Sequence, residues 1–329
     1  MNGMRAVAVA LLLALVAAGC GGDRAFTGLR FMVPNTPGSG YDLTARSAVK
    51  TLEDEGLARD VEVFNLPGAS GAVGLARLAN ERGNGRLLMQ MGLGLIGATH
   101  THPTAATVAD TTPIARLVEE AEAVVVPAGS PYADLGALTA AWRADPRLPV
   151  AGGASAGGPD HLAAHLLAQA VGVDPRAVDY RTFDGGGDLL AALLGGRAAF
   201  AVSSSGELRE QIQAGQLRVL ALTSARRKPG AHVAPAGDSR GHLGFAESGV
   251  DLEFASWRGL VAPPGISADD RQALTALVDA LHRSPEWQAA LSRMAVTDAY
   301  LSGDAFGAFL AAENRRVGEL LQRLGDGVR

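Results

Sequence analysis

The residues best suited to chemistry stand in the run VAGGASAGGPDHLAAHLL, Val150 to Leu167. A short apolar strand enters it, a glycine-crowded turn follows, and Pro159 opens an apolar helix. Such a turn leaves backbone N–H groups bare at a helix N-terminus, which suits an anion. Gly153, Ser155 and Gly157 also spell G-x-S-x-G, the pattern that raises a serine nucleophile on a sharp strand-to-helix turn. A nucleophile needs the helix to begin at once, an oxyanion segment and an acid–histidine pair. Here Ala156, Gly157, Gly158 and Pro159 intervene, no HGGG-type segment precedes, and the later pair is Asp238 and His242 in a polar loop. Anion binding needs only the turn. A secreted serine hydrolase using Ser155 is the alternative.

Two further turns share that character. PGSGYD (37–42) and FDGGGD (183–188) each follow an apolar strand and lead into a helix. Glycine lets backbone N–H groups approach a ligand closely, and strand C-terminal ends are where α/β proteins hold ligands. Three such turns on one cleft would bind a small polyanion by its carboxylates. Asp42, Asp160 and Asp188 stand at helix starts, where a carboxylate caps orphan N–H groups. Aimed at an anion they would repel it, unless they accept from a ligand hydroxyl or ammonium. Tyr41, Ser155, Ser203 and Ser204 are better direct donors, and Arg46, Arg181 or Arg258 could neutralise a carboxylate.

Other chemistries are excluded by what is missing around their motifs. His161 and His165 are four apart on one helix face, but without H-E-x-x-H or a third ligand no metal site is expected. Gly92, Gly94 and Gly97 match G-x-G-x-x-G, yet ATHTHPTAAT follows, and Asp110 and Glu119 are poorly placed for a ribose. The motif reads as a close-packed turn in which a long helix is not expected, and no cofactor is expected. With no basic stripe and 5% aromatic residues, nucleic acid is not a partner.

The 329 residues are 47% hydrophobic and 19% charged, enough core for two domains. Arg5, the apolar run Ala6 to Ala18 and the small residues before Cys20 read as an export signal. Cys20 is the single cysteine and stands where a bacterial lipoprotein carries its lipid. Residues 1–19 are thus expected to be a signal peptide and Cys20 the lipidated first residue. Removing Arg5 with the signal moves the formal charge from −5 to −6. An anion must then be held by local geometry.

Strand, turn and helix alternate along the chain, which indicates an α/β fold with largely parallel sheet. Strands are expected at 29–33, 61–64, 87–91, 122–126, 178–180, 198–204, 217–224 and 254–262, and residues 225–246 form a polar loop. The element order suggests two lobes, 24–123 plus 223–329 and 124–222, with a ligand cleft between them. A single continuous sheet would be incompatible with that division.

Several motifs in order carry a family resemblance: VPNTPGSGYDLTAR (33–46), VFNLPGASGAVGLARL (63–78), GGASAGGPDHLAAHLLAQAVGVDP (152–175), YRTFDGGGDLLAALLGG (180–196), AGQLRVLALTSARR (214–227), WRGLVAPPGIS (257–267) and the tail 303–325. The chain resembles the Bug-type extracytoplasmic solute receptors of tripartite tricarboxylate transporters. The resemblance implies a two-lobed, type II periplasmic-binding-protein-like fold and a non-enzymatic function. That function is capture of a di- or tricarboxylate, citrate-like, for delivery to membrane permease subunits by a lipid-anchored monomer. Carried over residue by residue, the ligand-binding set is Gly38, Ser39, Gly40, Tyr41, Asp42, Ala154, Ser155, Gly157, Gly158, Asp160 and His161. Asp184, Gly185, Gly186, Ser203 and Ser204 join it. The chain departs from the family pattern at Ser39, at Ser256 and in the irregular AHVAPAGDSRGHLGF.

Overall fold

The computed structural model describes residues 25–183, 186–224, 243–294 and 296–326. The export signal, Cys20, Asp184, Gly185 and most of the polar loop lie outside the described residues. The chain runs β1 (Phe26–Thr27), β2 (Arg30–Val33), α1 (Gly40–Asp54), β3 (Ala58–Arg59), β4 (Glu62–Asn65), α2 (Ala72–Asn80), β5 (Leu87–Gly92), α3 (Leu93–Thr101) and β6 (Thr112–Glu120). It continues β7 (Glu122–Pro127), α4 (Leu135–Ala144), β8 (Val150–Gly152), α5 (Pro159–Ala170), β9 (Tyr180–Thr182), α6 (Gly186–Leu194), β10 (Phe200–Ser204), α7 (Arg209–Gln213) and β11 (Leu217–Leu222). Last come β12 (Ser256–Ala262), α8 (Ala268–Arg283), α9 (Pro285–Met294), β13 (Thr297–Ser302) and α10 (Gly303–Leu324).

Two large sheets result. One has the order β13-β6-β12-β5-β2-β4 and the other β11-β7-β10-β8-β9. Neither is largely parallel, as the alternation had suggested. β12 runs antiparallel to both β5 and β6, and β7 antiparallel to both β10 and β11. β7 and β12 are the strands by which the chain enters the other sheet, and β13 is likewise antiparallel to β6. β6 ends at Glu120 and β7 begins at Glu122, so one residue, Ala121, separates strands of different sheets.

Helix α1 shows how local sequence sets up the site. Ser39 caps it by accepting from the Asp42 N–H at 3.3 Å, and Ala45, Ala48, Val49 and Leu52 form its buried face. That face packs with Phe31, Leu88, Leu260 and Trp287 into one core. A second core runs without a break from Met32, Leu75 and Met89 to Trp142 and Phe200, whose rings meet edge to face at 5.0 Å. It joins the two sheets' surroundings.

The GLGLIG stretch corrects the sequence reading. It is the nine-residue helix α3, not a bare turn. A segment with Thr, His and a following proline is a poor isolated helix, but Leu93, Leu95, Ile96 and Ala98 are all buried, and packing supplies what propensity lacks. Helix α9 and strands β6 and β13 were also not anticipated.

Candidate functional site

A chamber of about 290 Å³ lies where turns from both sheets meet. From the first sheet come Pro34, Asn35, Ser39, Gly40 and Tyr41 after β2, Ser70 before α2, and Gly94 in α3. The second contributes Gly153, Ala154, Ser155, Gly158, Pro159 and Asp160 after β8. Glu120, Glu122, Ser204, Glu207, Ser256 and Arg258 complete the lining. The chamber shares part of its wall with a wider groove of about 1060 Å³, which Gly38 and Gly187 also line.

The two principal turns are braced in the same way, by an aspartate reaching back along its own loop. Asp42 accepts from the Gly38 N–H at 2.9 Å, from Arg46 at 2.9 Å and from Asn65 at 2.9 Å. These bonds hold its carboxyl below the usual range against the opposing effect of burial. Asp160 accepts from the Gly153 N–H at 2.8 Å. Gly38 stands at φ +81°, a conformation that resists any side chain. The first N–H groups of an α-helix lack internal partners, and in α1 these belong to Gly40 and Tyr41, both chamber residues. Helix α5 likewise starts at the chamber, with Pro159 in its first turn and no side-chain cap.

Several sequence-derived candidates serve as backing to the wall. The Tyr41 hydroxyl meets the backbone of Gly94 and Leu95, and burial pushes it up to about 12 despite nearby Arg258. Gly157, at φ +82°, packs its backbone on Gly97 of α3. His161 lies behind Gly157: its Nδ1 accepts the Gly157 N–H at 3.3 Å, and its Nε2 faces Asp326 at 3.3 Å. Burial, with His165 beside it, pulls His161 down to about 3, so the ring is neutral. Both nitrogens are therefore engaged by Gly157 and Asp326. Ser203 is fully buried, while Ser204 reaches the chamber and donates to Glu120. Gly186 opens α6, whose Gly187 lines the wider groove. Arg46 is occupied by Asp42, and Arg181 by Asp179 at 2.6 Å.

Sequence reasoning missed the acidic side of the chamber. Glu120 is held by Arg258 at 2.7 Å and by the Gly206 N–H at 3.2 Å. Burial pushes Glu122 well above the ordinary carboxylate range, reinforced by Asp160, Glu120 and Glu207 and opposed by Arg258. Burial and Glu207 raise Asp160 to about 7, and burial and Glu120 raise Glu207. The pattern EEAEAVVVP, acids inside an apolar strand junction, was the available signal for Glu120 and Glu122. For Ser70 it was PGASG, a further glycine–serine turn, whose Ser70 has φ +52°. Among the described residues no group of three or more His, Cys, Asp or Glu side chains is arranged to hold a metal ion.

These shifts fix a sign for stability. A carboxyl that titrates higher folded than unfolded binds protons preferentially in the native state, so stability falls as pH rises between the two values. For Asp160 the window runs from 3.8 to about 7. The ligand-free protein is expected to melt at a lower temperature at pH 8 than at pH 5, and Asp160→Asn to flatten that decline. Differential scanning fluorimetry across this range checks it, and a flat or rising wild-type profile refutes it.

The sequence model of the family described as "Tripartite tricarboxylate transporter family receptor" matches residues 44–326. The chain belongs to this receptor family. Protein BugT of Bordetella pertussis is 25% identical to the receptor over 305 residues, 90% of this chain and 89% of that protein. The crystal structure of a TctC solute-binding protein from Polaromonas is 27% identical, with a TM-score of 0.72 over 91% of this chain and 99% of that one. An R. palustris protein solved with adipate is 23% identical, with a TM-score of 0.76 over 91% of this chain and 97% of that one. The receptor's architecture is accordingly the two-lobed periplasmic-binding-protein type, an α/β fold with its chamber between the two sheets.

Proposed function

We propose that this receptor captures a small carboxylate outside the cytoplasm and passes it to membrane permease subunits, without chemical conversion. The observation that carries the reading is the meeting of two helix N-termini, α1 and α5, on one chamber from opposite sheets. The Gly40 and Tyr41 N–H groups at the start of α1, with the hydroxyls of Ser39 and Ser155, supply donors for carboxylate oxygens, and the aligned peptide dipoles of both helices favour negative charge there. The adipate held by the R. palustris protein of the same fold supports a carboxylate ligand.

In this reading the lobes are residues 24–123 with 223–329, and 124–222. Ligand contacts to both turns favour the closed arrangement over an open one. Acylated Cys20 would anchor a monomer to the membrane surface. The finer citrate-like expectation is less well supported. A trianion would enter a chamber lined by four carboxylates and one guanidinium.

A thermal-shift panel of citrate, isocitrate, tricarballylate, succinate and glutamate tests the reading. At a concentration 100 times Kd, a true ligand adds about 2.7 kcal/mol of stability, a rise of roughly 4 °C for a chain of this length. Absence of any rise across the panel removes the carboxylate assignment.

A further inference from the structure

We infer that the captured molecule is a small zwitterion, an amino acid by chemical class, whose ammonium group is received by Glu122. The inference rests on the carboxylate reading above and adds the second half of the ligand. Glu122 opens β7, is 1% exposed and lines the chamber. Its Oε2 has no hydrogen-bond partner among the described residues. A buried carboxylate oxygen without a donor is strongly disfavoured, and one that faces a cavity is completed by a donor arriving in that cavity.

The neighbours of Glu122 do not supply that donor. Arg258, the guanidinium of the chamber lining, is committed to Glu120 at 2.7 Å. Glu120 also accepts from Ser204 and Gly206, and Asp160 from the Gly153 N–H. Glu207 adds a fourth acid to the same lining. Four acids thus face one guanidinium, so this end of the chamber is short of positive charge, and an ammonium brings one charge with three donors. A metal ion would bring charge as well, but the described acids are not grouped to ligate one. Gly40 and Tyr41 at the start of α1 have the opposite character, bare N–H groups suited to the carboxylate. One small molecule carrying both groups satisfies both, and about 290 Å³ suits that size.

The test compares acids that differ by a single ammonium: aspartate with succinate, glutamate with glutarate, and 4-aminobutyrate with butyrate. Titration calorimetry on the purified wild-type protein is expected to show, in at least one pair, the amino member binding about tenfold or more tightly. Glu122→Gln keeps the shape, and is expected to erase most of that preference. If in every pair the acid without the ammonium binds as well or better, the zwitterion inference falls while the carboxylate reading stands. Should no acid of any pair bind, both fall. A preference undiminished in Glu122→Gln overturns the assignment to that residue. The wild-type comparison decides the ligand class even if the variant does not fold.

Discussion

Gly97→Ala is expected to prop the two halves of the molecule apart and weaken ligand capture on the order of 100-fold. A Cβ on Gly97 would lie 1.8 Å from the Gly157 carbonyl oxygen. Non-bonded heavy atoms rest about 3.5 Å apart, so the two backbones must separate by roughly 1.5–2 Å. Neither partner is a flexible side-chain tip that could swing away. Gly97 belongs to buried α3 and Gly157 to the turn before α5, so the relief available is displacement of one sheet's surroundings from the other's. A penalty of about 3 kcal/mol falling on the closed arrangement alone lowers its population, and hence apparent affinity, by about two orders of magnitude. Small-angle scattering of the variant should report a larger radius of gyration than wild type. Titration with whichever acid stabilises wild type should report the weaker binding. A wild-type scattering profile together with wild-type affinity would sink the prediction.

Arg258→Met should destabilise the protein by about 3–5 kcal/mol at neutral pH, the usual consequence of stripping the partner from a buried charge. The pair is well shielded: the Arg258 and Glu120 side chains are 13% and 6% exposed. Arg258 also opposes the upward shifts of Glu122 and Glu207, and it lies against Gly40 at the start of α1. Methionine preserves much of the volume and none of the charge. Without the guanidinium, the carboxyls around it are driven higher still, so the native state holds their protons more tightly. The loss must therefore be largest at alkaline pH and shrink as the pH falls towards 5. Urea unfolding at pH 5 and pH 8 measures both values. An equal loss at the two pH values would mean that Arg258 acts by packing and not by charge.

The turns were legible because their demands are local. Gly38 and Gly157 adopt positive φ, Ser39 caps α1, and Pro159 opens α5, all requirements that one or two residues announce by type. The acidic wall was not legible for the opposite reason. Glu120, Glu122, Glu207 and Arg258 come from β6, β7, the loop after β10, and β12, and only the pairing of β12 with β6 brings Arg258 to Glu120. Arginine on a strand is ordinarily solvated, so Arg258 carried no sign of being buried. Helix α3 was misjudged because its propensity is poor and its burial is set by distant partners. The braces Asp42 and Asp160 were anticipated as loop supports, and the bonds to Gly38 and Gly153 account for how each works.

Under the lobe closure proposed above, Ala121, the one residue between β6 and β7, would have a mechanical consequence. It would serve as a fulcrum, with Glu120 and Glu122 flanking it. The turns that grip the carboxylate sit out on the lever arms, so a slight rotation at Ala121 sweeps them widely while leaving the two glutamates almost still. On that reading cargo charge would be weighed at the pivot before the arms travel, and a molecule without the matching charge would be refused where leverage is least.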